Sequence, residues 1–407
     1  MPFLSPLLLA TALTSAPVDC GQRLCNAQAL QPLVRLVAQS ATRPVHILQI
    51  GDSLTAGDML SDGWRVGINA RYTSGGRGVV SGGRPYAGYL TWGVNALQSS
   101  GWAVNGLFGR IWQDDGLPVG MSGYTKTAHA PDEYLSLTAE GLEYLFDRFT
   151  VCGLAGPGAG TVAVTFGGTT QELPFDAPVP APLCHEYRSN IAVSSAQVTT
   201  RDARPVSITS MGSFRNGGGV TLSNLGVPGT QLKHFGRTND HLLQAELQAY
   251  HPDMVVLAFG TNEGFAVDLD MATYEANLRA QVTRLRRLLG AQVPMLLLGP
   301  PNAMTRDARI ANAGGFPATV CETGLMVPGH LGAVREVQRE VAADMGLAFW
   351  DWARAMGGQC AMYQWRADGL TLRDAVHFNR EGGTRLGSIL SDDFAQAMRA
   401  GGSPTGQ

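Results

Sequence analysis

The chain has 407 residues, 44% of them hydrophobic and 15% charged, with 51 glycines, 22 prolines and a formal charge of −3. At about 150 residues per domain this length suggests two or three domains, each able to bury a core of its own. The near-neutral balance excludes the basic face that nucleic-acid binding requires, and the charge content is too low for disorder or a coiled coil.

In chain order, residues 3–15 (FLSPLLLATALTS) come first. This apolar stretch is too short to span a bilayer but suits a signal-peptide core, so residues 1–19 are expected to be removed on export to the periplasm or beyond the cell. Cys20 raises a lipid anchor as the one membrane attachment to test, since no other segment is expected to cross a membrane. The six cysteines are Cys20, Cys25, Cys152, Cys184, Cys321 and Cys360. An even count in an exported chain supports disulfides. Fifteen connectivities are open, and sequence order favours neighbours, with Cys152–Cys184 first and Cys321–Cys360 next. No CxxC or HExxH occurs, and no metal or other cofactor is expected.

Five apolar runs follow: Val45–Ile50, Val220–Leu225, Met254–Phe259, Met295–Leu298 and Leu347–Trp350. Each is nearly continuous, as strands buried on both faces of a parallel sheet should be. Tyr274, Leu278, Val282, Leu285 and Leu289 share one helical face, and so do Leu331, Val334, Val337, Val341 and Met345. Further helices are expected over 26–40, 239–250 and 383–399. Strands alternating with helices give an α/β fold, a helix–sheet–helix sandwich with right-handed crossovers.

Residues 75–221 have a different texture. Glycine and proline clusters (75–78, 153–160, 174–182, 217–219) separate short alternating runs such as Thr161–Phe166 and Val206–Met211, which read as half-exposed strands. Tyr144–Cys152 and Thr161–Phe166 look like a hairpin across 153–160. The interval is expected to be an antiparallel β-sandwich inserted into the α/β domain. That leaves residues 20–74 and 222–402 as one discontinuous domain. Gly156–Gly160 superficially suggests a phosphate loop, but a strand follows where a helix would be needed.

The chemistry gathers at the strand ends. The first strand runs into Gly51-Asp52-Ser53-Leu54, and a serine there sits where open α/β sheets place their sites; Asp52 or Ser53 would otherwise simply cap the next helix. The second strand leads to Asn224-Leu225-Gly226-Val227-Pro228-Gly229 and the third to Phe259-Gly260-Thr261-Asn262-Glu263. Asp374-Ala375-Val376-His377-Phe378 precedes the last helix. With these four blocks in this order, the chain resembles the SGNH, or GDSL, family of serine hydrolases, over about 230 residues outside the insertion.

That resemblance implies a three-layer, flavodoxin-like α/β/α sandwich on a five-stranded parallel sheet. It makes Ser53 the nucleophile, His377 its base and Asp374 the carboxylate that orients the imidazole. The backbone N–H groups of Ser53 and Gly229 and the Asn262 amide would line the oxyanion hole. Asp368 is a second carboxylate that could orient the ring from another loop. Glu263 stands where the family more often has aspartate and is read as a supporting residue, and Asp58 as a surface or helix-start carboxylate. The seven other histidines lack such a block.

Gly229 lies 176 positions after Ser53, and this wide spacing, filled by a β-rich insertion, resembles that of the bacterial peptidoglycan O-acetylesterases. Leu54 departs from the histidine associated with that position in them. The implied substrate is an O-acetylated carbohydrate or small ester. Trp92, Trp102, Trp112, Tyr124 and Tyr134 are aromatics that would either stack on sugar or fill the insertion's core. A general short-chain esterase or lipase, and a non-catalytic glycan-binding protein, are the alternatives.

Overall fold

The computed structural model describes Cys20 and residues 23–400, so the expected signal peptide lies outside the described residues. Five parallel strands form the central sheet: β1 (Pro44–Gly51), β2 (Gly219–Gly226), β3 (Met254–Ala258), β4 (Met295–Leu298) and β5 (Ala348–Trp350). Their spatial order is β5-β4-β3-β1-β2, and the short Leu24–Cys25 segment adds a sixth, antiparallel strand outside β5. β2 begins at Gly219, so the boundary expected after residue 221 falls inside it.

The apolar runs are continuous because alternate side chains enter two different cores. Val45 and Ile47 of β1 face a cluster with Leu60, Trp64 and Ile68 of helix Met59–Asn69 and Leu386, Leu390 and Phe394 of helix Arg380–Ala400. Leu48 and Ile50 face the opposite way, onto helices Asp240–Tyr250 and Met271–Leu289 through Leu243, Leu247, Leu278 and Val282. The first helix pair packs backbone to backbone: a Cβ on Gly387 would lie 2.3 Å from the Leu60 carbonyl.

Between β1 and β2 the chain builds two antiparallel sheets. One runs Thr169–Pro174, Thr161–Phe166, Ser195–Thr200, Tyr134–Ala139, Val94–Gln98. The other runs Ala181–Val193, Phe146–Ala155, Val206–Phe214, Tyr124–Ala128, Ala103–Gly106. Leu135, Leu137, Val162, Val164 and Val198 of the first sheet meet Phe149, Val151, Val206, Ile208 and Met211 of the second in one shared core.

Two expectations fail here. Phe146–Ala155 and Thr161–Phe166 belong to different sheets, because residues 156–160 carry the chain across the sandwich; Thr161–Phe166 instead forms its hairpin with Thr169–Pro174. Gly167 and Gly168 make that turn with φ of 62° and 78°, and a two-residue Gly-Gly loop was the legible signal. Val206–Met211, expected to be half-exposed, belongs to the strand Val206–Phe214, which is buried along its whole length. Its outer face is covered by helix Asp240–Tyr250, whose buried Glu246 accepts hydrogen bonds from Thr209 Oγ1 (2.7 Å), Ser210 Oγ (2.6 Å) and Met121 N (2.6 Å). Excising residues 75–221 would strip that carboxylate and expose the core side chains packed on Phe214, so the insertion's role is better probed by point substitution.

Asp58 is fully buried rather than on the surface. It begins helix Met59–Asn69, and its carboxylate accepts from Arg65 Nη2 (3.0 Å), Arg77 Nη2 (3.1 Å) and Trp92 N (2.8 Å), tying the start of the β-layer to that helix.

The disulfides join Cys20–Cys25, Cys152–Cys184 and Cys321–Cys360. With its sulfur bonded to Cys25, Cys20 has no thiol left to carry a lipid. Cys152 and Cys184 face each other across adjacent antiparallel strands. Opening that bridge by Cys152→Ala/Cys184→Ala should cost about 3 kcal/mol of stability, as expected for a closed loop of a few tens of residues. Urea denaturation of the variant measures this, and an unchanged midpoint would refute it. Among the described residues no helix is long and apolar enough to cross a membrane.

Candidate active site

Gly51, at the end of β1, pairs with Gly226 of β2 and is level with Ala258 of β3. The loops carrying Ser53, Gly229 and Asn262 therefore leave from one row at the carboxyl edge of the sheet. Asp52 caps the short helix Ser53–Ala56 by accepting from Leu54 N (2.9 Å), and Ser53 is that helix's first residue. Asp52 supplies the cap, which leaves the Ser53 hydroxyl free for another partner.

That partner is His377. Its Nε2 lies 2.8 Å from Ser53 Oγ, and its Nδ1 lies 2.8 Å from Asp374 Oδ2. With Nδ1–H given to the carboxylate, Nε2 is the acceptor for the serine hydroxyl. The D-x-x-H spacing works because Ala375 takes a left-handed φ of 56°, curling the segment into a tight turn. Asp374 Oδ1 accepts the N–H groups of Val376 (2.9 Å) and His377 (3.0 Å). Burial opposes ionisation of Asp374, but those two backbone donors and the imidazole outweigh it and hold its carboxyl below the usual carboxylate range. The turn is anchored by Met304 N donating to Ala375 O (2.9 Å) and by Phe378, whose ring lies 5.8 Å from both Trp352 and Trp365. Asp368, the other candidate, instead accepts from Gln364 Nε2 (2.7 Å) on its own helix.

The loops bearing Gly229 and Asn262 are joined by direct hydrogen bonds. Asn262 Nδ2 donates to Thr230 O (2.9 Å), Gln231 Nε2 to Asn262 O (3.1 Å), and buried Glu263 accepts from Leu232 N (2.7 Å) and Gly260 N (3.0 Å). Glu263 is thus a clamp between the two loops. Gly229 has φ 78°, and among the described residues neither its N–H nor that of Ser53 is engaged by another group. Burial pushes the carboxyls of Asp52 and Glu263 up to about 7 each, and Glu263 adds repulsion to the Asp52 shift. Burial lowers His234 to about 4, which leaves it neutral as the acceptor of Gln231 N (2.9 Å).

Of the aromatics, Trp102 and Tyr124 are buried and cannot meet a polymer. Trp92 carries the Arg380 guanidinium 4.1 Å from its ring centre, three residues past His377, and Trp112 carries that of Arg237 at 4.8 Å. Tyr134 is half-buried. Sequence reasoning missed Phe108, which lies against Gly229: a Cβ on that glycine would sit 2.7 Å from Phe108 Cε1. The contact is between residues 121 positions apart, and no local pattern announces it.

Comparison with known proteins bears on the family and the fold. Residues 210–385 match the GDSL-like lipase/acylhydrolase family, a span holding Gly229, Asn262, Asp374 and His377, while Ser53 lies beyond the insertion. The fold matches a solved peptidoglycan O-acetylesterase with a TM-score of 0.75 and 25% identity, over 93% of this chain and 100% of that one. Two looser likenesses carry no weight here. One is a family two carbohydrate esterase from Clostridium thermocellum in complex with cellohexaose (TM-score 0.29, 13% identity, 74% of this chain and 99% of that one). The other is a putative platelet activating factor from Streptococcus pneumonia (TM-score 0.31, 18% identity, 43% and 73%). No curated protein matches the sequence. The family-model match and the structural match together indicate an ester-hydrolysing serine hydrolase similar to the GDSL lipase/acylhydrolases.

Proposed function

We propose that this enzyme is exported and removes short acyl groups, acetyl foremost, from a carbohydrate, with Ser53, His377 and Asp374 as its triad. The observation that carries the reading is the unbroken Ser53–His377–Asp374 chain at 2.8 Å per link, set in a fold shared with a peptidoglycan O-acetylesterase. His377 takes the Ser53 proton as Oγ attacks the acyl carbonyl, then gives it to the departing sugar oxygen; water repeats the cycle on the acyl-enzyme. Asp374 holds the tautomer and stabilises the imidazolium. Ser53 N–H, Gly229 N–H and the Asn262 amide receive the oxyanion. Peptidoglycan is the polymer that the structural likeness favours, and three disulfides fit an oxidising compartment. Residues 20–74 and the chain from Gly219 onward would form the hydrolase domain, and the antiparallel sheets between them the β-sandwich.

Acetate release from a panel of O-acetylated polymers, with Ser53→Ala as control, tests the proposal. A chain-length series on soluble esters separates it from a general lipase, which would prefer long acyl groups. Asn262→Ala should lower kcat about 10²–10³-fold with a much smaller change in KM, since its amide acts on charge that develops only in the transition state. A loss confined to KM would remove Asn262 from the oxyanion hole.

A further inference from the structure

We infer that Leu107 and Phe108, two residues of the β-layer, form the wall that ends the acyl pocket at acetyl length. The inference rests on the short-acyl reading above and assigns that preference to particular side chains. Its starting point is the order of groups along the sheet edge. Gly229 follows β2, Ser53 follows β1 and Asn262 follows β3, while the His377 turn is bonded through Ala375 to Met304 beyond β4. The departing sugar oxygen must lie beside His377 Nε2 to receive its proton. The acyl substituent on the same carbon then points away from His377, toward the β2 side.

On that side stands Phe108. Its ring lies against Gly229, is 36% exposed, and is backed by the buried His234 ring at 4.6 Å. Leu107, the preceding residue, is 3% exposed and lines an apolar gap of about 10 Å³ together with Ile50, Val227, Thr230, Phe235 and Phe259. That volume barely admits one water and no methylene chain. The wall is rigid: Leu107 N donates to Gly123 O (3.1 Å), and Leu107 O accepts from Arg237 Nη1 (2.9 Å), whose guanidinium rests on Trp112. An apolar space thus adjoins the loop that carries Gly229, with Leu107 in its lining, while Phe108 lies against Gly229 itself.

Shortening the wall should therefore admit longer acyl chains, each buried methylene being worth roughly four-fold in kcat/KM (~0.8 kcal/mol). The test compares p-nitrophenyl acetate, butyrate and hexanoate on the full chain. Phe108→Ala should raise the butyrate-to-acetate ratio of kcat/KM about ten-fold, Leu107→Ala/Phe108→Ala should extend the gain to hexanoate, and Phe108→Trp should leave the ratio at or below wild type. Phe108 is partly exposed, so the single variants keep the test intact if the double variant fails to fold. A wild-type enzyme preferring hexanoate would overturn the short-acyl reading itself. A wild type preferring acetate, with Phe108→Ala leaving the ratio unchanged or lowering all three esters equally, would overturn the wall alone.

Discussion

Ser53→Ala is expected to lower kcat/KM on an acetyl ester by roughly four to six orders of magnitude, and His377→Ala by nearly as much. The two losses should be similar because the proposed pair would act as a unit, the hydroxyl leaving its proton on Nε2, which lies 2.8 Å away. Stability should barely change. Ser53 opens a short helix whose cap is Asp52, and the His377 turn is held by Ala375 and Phe378, independently of the serine. A serine-directed organophosphonate should label the wild type at Ser53 with one-to-one stoichiometry and leave Ser53→Ala unlabelled. Labelling at another serine, or turnover by Ser53→Ala within ten-fold of wild type, would remove Ser53 from the nucleophile's place.

How far the sequence could reach is seen from where its signals are local. The five parallel strands read correctly because burial on both faces leaves an unbroken apolar run, a property of each strand alone. The candidate site residues were legible for a related reason: open sheets gather their strand-end loops, so residues far apart in the chain meet wherever the strands pair. D-x-x-H is local too, since one left-handed residue between its members turns the carboxylate back onto the imidazole. What escaped was tertiary. Asp58 looked like an ordinary helix-start carboxylate until Arg77 and Trp92, brought in by the β-layer, buried it. Val206–Met211 alternates like a half-exposed strand, and nothing within it announces that a helix from the other layer covers its polar side. Phe108 has no motif at all, since its meaning comes from the glycine it touches.

Lys126→Met should stabilise the protein by on the order of 4 kcal/mol at pH 7, an unusual outcome for a core substitution. Lys126 lies on the strand Tyr124–Ala128, fully buried, with Nζ donating to Gln98 Oε1 at 2.6 Å. Burial pushes the ammonium down to about 6 from an ordinary 10.5. Between those values the unfolded chain carries a proton that the folded chain has lost, so folding is penalised at low pH and the penalty shrinks as pH rises. The slope is about 1.4 kcal/mol per unit, with stability increasing toward pH 10. Methionine has a similar shape, brings no charge to desolvate, and leaves Gln98 Oε1 satisfied by Arg84 N at 2.8 Å. The variant's advantage should therefore be largest at and below pH 6 and fall by roughly 3 kcal/mol on going from pH 7 to pH 9. Other titrating groups are common to both proteins and cancel in that difference. Urea denaturation of wild type and variant at pH 6, 7.5 and 9 gives the comparison directly. A variant less stable than wild type, or an advantage that does not change with pH, would mean that Lys126 keeps its proton in the folded core.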